Sequence, residues 1–278
     1  MMLLSTGSIL HLLAFSLYPS SFLLPWLIAV GLNTVLLAIV WFLPKKLLTP
    51  AGIIHAWILG VLVWASLGWQ GYAVVVFYFL VGSGITRVGM AQKEAAGIAE
   101  KRSGARGPEN VWGSALTGAV CAVGSVIVPF ALPSEQSAWL VSLLLLGYVA
   151  SFSTKLADTC SSEIGKAYGQ RTFLITTLQP VPRGTEGAVS LEGTIAGIVA
   201  SVAIALVGWL VGLIPLWQVA ICVVAAFIGT TIESVIGATL QSRFSWLTNE
   251  VVNILNTLIG AVAAMLLVQG LRVANLSL

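Results

Sequence analysis

The chain has 278 residues, 58% of them hydrophobic and only 8% charged, with a formal net charge of +3 and a mean hydropathy of +0.99. Soluble domains carry about 25% charged residues, so a water-soluble enzyme is excluded and a polytopic membrane protein is indicated. A span needs about 20 mostly apolar residues with its backbone satisfied internally, which makes helices the default.

The expected fold is all-α, a transmembrane bundle of about eight spans (seven to nine), with residues 1–278 forming a single integral membrane domain. Residues 3–18 are apolar but short, suiting a half-span, an interfacial helix or a true span. No Lys or Arg precedes this run, which argues against a cleaved signal peptide. Trp26–Leu43 follows and stops at Pro44-Lys45-Lys46. Ala51–Leu67 and Tyr72–Thr86 are joined by an uncharged turn, Gly68–Gly71. The polar segment 87–109 reads as a short amphipathic or surface helix that breaks at Gly104 and Gly107-Pro108. Val111–Leu132 and Ala138–Phe152 are the next spans, and a second polar segment runs over 153–192. Thr194–Ile214 and Leu216–Leu240 form a hairpin through Pro215, and Val251–Leu271 is the last span.

With alternating spans, the loops holding Lys45-Lys46, 87–109, 153–192 and Arg243 share one side. That side then holds all of the 13 basic residues except Arg272. Lys and Arg in short loops mark the cytoplasmic side, so the chemistry is expected to face the cytoplasm or its plastid equivalent. Three cysteines, Cys121, Cys160 and Cys222, lack the spacing of a zinc site or a disulfide framework. His11 and His55 are isolated and read as helix-end residues.

Ser153–Gly169 (STKLADTCSSEIGKAYG) places Lys155, Asp158, Glu163 and Lys166 together after a long apolar run. Helical spacing puts Asp158, Ser161, Ser162 and Gly165 on one face. The small residues there allow another backbone, or a phosphate, to come close. A bland alternative is a solvated helix end at the membrane surface. In Gln179–Gly197, Pro182 and Gly184 form a turn, and Thr185, Gly187 and Ser190 offer donors suited to oxyanions. A plain connecting loop is the alternative. Glu233 is an acid inside an otherwise apolar helix, where an ionisable group is costly; pairing with one basic residue would be its structural explanation. Asn249, Asn253 and Asn256 share a helix face and read either as site residues or as interhelix contacts, and Asn110 after the basic segment has the same two readings.

ADTCSSEIG, VPRGTEGAVSLEGTIAG, the acid in TTIESVIGATLQ, LTNEVVNILNT and PKKLLTPAGIIHAWILG together resemble the phytyl-phosphate kinase family of cyanobacterial and plastid membranes. The likeness covers nearly the whole chain. It is more distantly similar to dolichol and phytol kinases and to lipid cytidylyltransferases. The resemblance implies phosphoryl transfer from a nucleoside triphosphate, with CTP one candidate, to an isoprenyl monophosphate such as phytyl phosphate. It also implies an integral cyanobacterial, plastid or bacterial inner membrane location and a role in tocopherol or phylloquinone synthesis. Glu233 stands where many relatives would have Asp, and Lys155-Leu156 replaces smaller residues.

Phosphoryl transfer is mainly positioning and charge neutralisation. Asp158, Glu163, Lys166 and Glu233 are therefore the expected catalytic residues, with Asp158 and Glu233 as ligands of Mg²⁺. Lys93, Arg102, Lys166 and Arg183 are expected phosphate clamps. Asn110, Ser162, Gly184, Thr185, Glu186, Gly187, Ser190, Ser234, Gln241, Asn249 and Asn253 complete the expected substrate and nucleotide site. No nucleic-acid partner is expected. Other readings of the same residues are a prenyl-alcohol kinase, a lipid cytidylyltransferase, or a small ion or solute transporter.

Overall fold

A computed structural model describes residues 19–43, 46–100 and 104–274. The apolar run 3–18, His11, Lys45, Lys101 and Arg102 lie outside the described residues. The described helices are α1 (Pro19–Phe42), α2 (Pro50–Arg87), a short α3 (Met90–Ala95), α4 (Pro108–Ala131), α5 (Ser134–Tyr168), α6 (Leu191–Leu210), α7 (Gln218–Thr239) and α8 (Asn249–Val273). All but α3 are long and apolar enough to cross a membrane, seven helices among the described residues.

The 38-residue α2 would measure about 57 Å if straight, nearly twice a hydrocarbon core. It is not straight. Gly68 adopts φ 63 and ψ −156, a conformation open to glycine and costly for other residues, and the chain turns back on itself there. Arg106 shows the reversal. Its carbonyl lies against Gly52 while its guanidinium lies against Gly82, so these two glycines are neighbours across a hairpin. The expected pair of spans joined at Gly68–Gly71 is thus present as two arms. Thr49 caps the first arm by accepting a bond from the Gly52 amide at 3.0 Å, and Pro50 opens it. The Trp112 indole donates to His55 Nδ1 at 2.8 Å, tying α4 to this arm.

α1 is mostly lipid-exposed and is held by polar contacts. Buried Asn33 donates to Ala29 at 2.8 Å and accepts from the Tyr72 hydroxyl at 3.0 Å. Trp57 donates to the Thr34 hydroxyl at 3.0 Å.

α5 is the axis of the bundle, packed against α2, α4, α6, α7 and α8. The sequence places the end of a span at Phe152, but the helix continues through the polar stretch to Tyr168. It can do so because its neighbours come close through glycines. Thr154 fits between Gly229 of α7 and Gly260 of α8, where a Cβ at Gly260 would fall 1.9 Å from the Thr154 hydroxyl. Gly193 and Gly197 of α6 lie against Ser161 in the same way. Ser153, Thr154, Lys155 and Glu163 are all buried, so the stretch is not a solvated helix end.

Between α5 and α6 two three-residue strands, β1 (Thr172–Leu174) and β2 (Ala188–Ser190), pair antiparallel with Thr172 opposite Ser190. This small hairpin leaves the all-α fold class intact and is not visible in the sequence, since three residues are too few to show alternation. Gly184 and Gly187 have φ of 84 and 75 and each sits third in a four-residue turn, the position that requires positive φ. Gly184 packs against Ile98, so the 87–109 and 153–192 segments meet at one end of the bundle.

That shared end is testable. The natural cysteines are all buried, so their background labelling should be low. Cysteines introduced at exposed Glu94 and Gln170 should both react with a membrane-impermeant maleimide from one face of sealed vesicles. A cysteine at Glu135, in the opposite turn, should react only from the other face.

Candidate active site

A cavity of about 890 Å³ opens where the polar segments meet, within the 300–1,000 Å³ range of small-molecule sites. Its floor is the polar half of α5. Lys155, more than nine-tenths buried, donates from Nζ to Asp158 Oδ2 at 2.6 Å and to Asn253 Oδ1 at 2.7 Å. One ammonium thus joins α5 to α8 and sets the position of Asp158. Asp158 and Glu186 are electrostatic neighbours of Glu233, which enters from α7. Glu233 has no ion-pair partner among the described residues, so a simple structural pair does not explain it.

Glu163 is different. Its Oε2 takes the ammonium of fully buried Lys93, which also donates to the Thr86 carbonyl at 2.7 Å. Its Oε1 lies 3.8 Å from Lys166, which in turn lies 3.6 Å from Glu100. The carboxylate is therefore matched by two cations, and the geometry makes it an anchor for the 87–109 segment rather than a spare metal ligand. Lys93 is likewise taken up by this contact and does not line the cavity.

Arg183 also departs from its expected role. Its Nη1 donates to the Ala167 carbonyl at 3.0 Å, closing the C-terminus of α5, and the residue is not on the cavity wall. Ser190 lines the cavity but caps α6, accepting from the Gly193 amide at 3.1 Å. Asn110 lines it too while accepting from the Gly107 amide at 3.0 Å at the start of α4. Ser162, Gly184, Thr185, Glu186 and Gly187 are on the wall, as are Ser234, Gln241, Asn249 and Asn253. Gln241 donates to Asn249, joining the end of α7 to the start of α8. Asn256, the third amide of that face, is fully buried behind the site and has no hydrogen-bond partner among the described residues.

Arg106 and Tyr78 are wall residues the sequence does not single out. Arg106 donates from Nη1 to the Tyr78 hydroxyl at 2.5 Å and lies over the Tyr78 and Phe79 rings at 5.1 and 5.9 Å. Gly82 leaves room for it, since a Cβ there would fall 2.7 Å from the guanidinium. Arg106, Lys155 and Lys166 are the basic residues on the wall among those described.

Comparison with known proteins places this arrangement. Residues 33–261 match the family described as integral membrane protein DUF92. The chain belongs to this family. It is 61% identical over 248 residues to an uncharacterized membrane protein of Synechocystis sp., covering 89% of this chain and 93% of the relative. It is 48% identical over 224 residues to the chloroplast protein VTE6 of Arabidopsis thaliana, covering 80% and 66% of the two chains. Protein PGR of the same plant is 30% identical over 207 residues, covering 66% and 69%. No solved structure matches the chain.

The buried Lys93–Glu163 pair yields a stability test. Removing one member of a buried pair costs about 3–5 kcal/mol, because the remaining charge is left uncompensated. Lys93→Met should lower the thermal unfolding midpoint of the detergent-solubilised protein strongly. Adding Glu163→Leu to it should recover most of the loss; equal midpoints for the single variant and the wild type would show that the pair contributes nothing.

Proposed function

We propose that the chain is a membrane kinase that transfers the γ-phosphoryl group of a nucleoside triphosphate to a prenyl monophosphate. The observation that carries this reading is the convergence of Asp158, Glu186 and Glu233 with Lys155, Lys166 and Arg106 on one cavity at the end of an apolar bundle. The family membership and the similarity to chloroplast VTE6 support it, together with the motif resemblance to phytyl-phosphate kinases. Phytyl phosphate is the first acceptor to test and CTP a candidate donor, with the diphosphate serving prenyl-lipid synthesis. The site faces the cytoplasm in this reading, which the basic loops support through the positive-inside rule.

An acceptor phosphate is already anionic near neutral pH, so no general base has to remove a proton. One of its oxygens forms a bond to the γ-phosphorus as the bond from that phosphorus to the β,γ-bridging oxygen breaks. The nucleoside diphosphate leaves with that electron pair. What the protein must supply is position and positive charge. Lys166 and Arg106 supply donors on the wall, and Lys155 holds Asp158 in place. Gly184 and Gly187 bring backbone to the cavity edge, with Thr185 and Glu186 on the wall between them.

A divalent ion fits this donor set. Asp158 keeps one oxygen beyond the Lys155 contact, and Glu233 has no competing cation bound to it. No group of three His, Cys, Asp or Glu residues suited to a metal occurs among the described residues. Mg²⁺ is commonly held by one or two carboxylates plus waters and substrate phosphates. Asp158 and Glu233 would hold it, and it would supply charge neutralisation on the triphosphate.

Asp158→Asn and Glu233→Gln, which keep volume and remove charge, should each lower phosphoryl transfer at least a hundredfold while the protein remains inserted and folded. Activity is read as conversion of labelled phytyl monophosphate to diphosphate with each nucleotide, with and without Mg²⁺. Wild-type turnover of either variant at limiting Mg²⁺ would remove that carboxylate from the site. Efficient phosphorylation of phytol with none of its phosphate would move the protein to the alcohol kinases.

A further inference from the structure

The cavity is deeper than a polar transfer site requires. From the carboxylates it continues between α6 and α7, reaching Ser201 on one helix and Phe227 on the other. Both residues stand near the middle of their helices, so the space extends to about half the depth of a 30 Å hydrocarbon core. Phe227 lies six residues before Glu233, a displacement of about 9 Å along α7. α6 and α7 each pack closely on α5 but more sparsely on each other, which leaves a slot between them with α5 as its back wall.

Two of the mid-depth wall residues, Ile198 and Phe227 on facing helices, are 41% and 52% exposed. Low cover at that depth on both sides of the slot is what a lateral opening between α6 and α7 requires. The wall changes character along its length. Near the protein's polar end it carries Arg106, Lys155 and Lys166 beside Asp158, Glu186 and Glu233; at mid-depth it carries Gly197, Ile198, Ser201, Phe227 and Thr230. An occupant matched to this gradient has an anionic head and an apolar tail, and it reaches the site through the bilayer rather than from water.

We infer that the slot between α6 and α7 is a lateral port in which the prenyl chain of the acceptor lies, entering past Ile198 and Phe227 with its phosphate toward Lys166 at the polar end of the cavity. This rests on the kinase reading above for the identity of the lipid. Burying apolar surface is favourable when it leaves water, but this tail leaves lipid. The slot therefore selects the acceptor by shape and length more than by apolar gain. The groove between α1 and α2, about 330 Å³ around Thr34, Trp41 and Trp57, has no acidic residue in its wall and serves as the internal control.

The experiment uses the full-length protein in phospholipid nanodiscs with phytyl monophosphate carrying a diazirine at the far end of its chain. Photolabelling without nucleotide, in wild type and in Asp158→Asn, should attach the probe to peptides containing Ile198–Ser201 and Phe227–Thr230. Unlabelled phytyl monophosphate in tenfold excess should remove those adducts. Adducts confined to the α1–α2 groove would overturn the port, as would slot adducts displaced by added phospholipid but not by phytyl monophosphate. In the second arm, exposed Ile198→Trp should lower the ratio of kcat/KM for phytyl over dimethylallyl monophosphate at least tenfold. An unchanged ratio overturns the assignment. Slot adducts in a protein that transfers no phosphoryl group would sink the kinase reading and leave the port standing; transfer without slot adducts would do the reverse.

Discussion

The Lys155 ammonium, bound at once to Asp158 and Asn253, is the contact on which the polar half of this bundle depends. A charged side chain on a central helix is tolerated only where opposite charge and hydrogen-bond acceptors surround it. α5 meets that condition by recruiting a different element at each charged turn. Lys155 draws in α8, Glu163 draws in α3 through Lys93, and Lys166 reaches the loop at Glu100. The 87–109 segment is thus fixed at the mouth of the cavity by charge, with little apolar area of its own. The site and the fold share these contacts, which is why removing Lys93 is expected to act on stability.

Close backbone approach is the second condition. Thr154 sits between Gly229 and Gly260, and Ser161 lies under Gly193 and Gly197. These glycines bring α6, α7 and α8 against α5 closely enough to cover its hydroxyls. Close packing on α5 also separates α6 from α7 on the outer side, so the slot follows from how the three helices share one neighbour. Ser161 therefore serves backbone contact with α6 and, with Asp158, Ser162 and Gly165, also lines the cavity.

The spans were legible because their apolar runs are long, and even the reversal in α2 shows as the uncharged turn at Gly68. The boundary at Phe152 was not, because hydropathy falls where the helix continues and only tertiary packing keeps it buried. Asp158 and Glu233 stand out in sequence as acids among apolar residues. Arg106 does not, since its meaning comes from Tyr78, 28 residues away, and from the space at Gly82. Lys155 is visible as a charge, yet its role depends on Asn253, 98 residues further on. Arg183 reads as ligand-facing because charge beside a glycine-rich turn suggests anions, yet its nearest partner is a helix-end carbonyl. Glu163 does line the cavity, but its nearest partner is a buried lysine that no local pattern reveals.

The same polarity that builds the site separates an interfacial enzyme from a transporter. A transport pathway needs polar groups through the membrane depth and an exit at the far side. Beyond the cavity the interior is filled: Leu146, Tyr148, Val149, Phe152, Ile204 and Cys222 are all fully buried. Tyr148 spends its hydroxyl on the Gly71 carbonyl at 2.6 Å near the fold-back of α2. Opening a path would require displacing this close-packed layer. A substrate whose head stays at one surface and whose tail enters from the side needs no such path. An apolar plug, a one-ended set of charges and a lateral slot are mutually consistent for that substrate, whereas transport would have to undo the first to use the second.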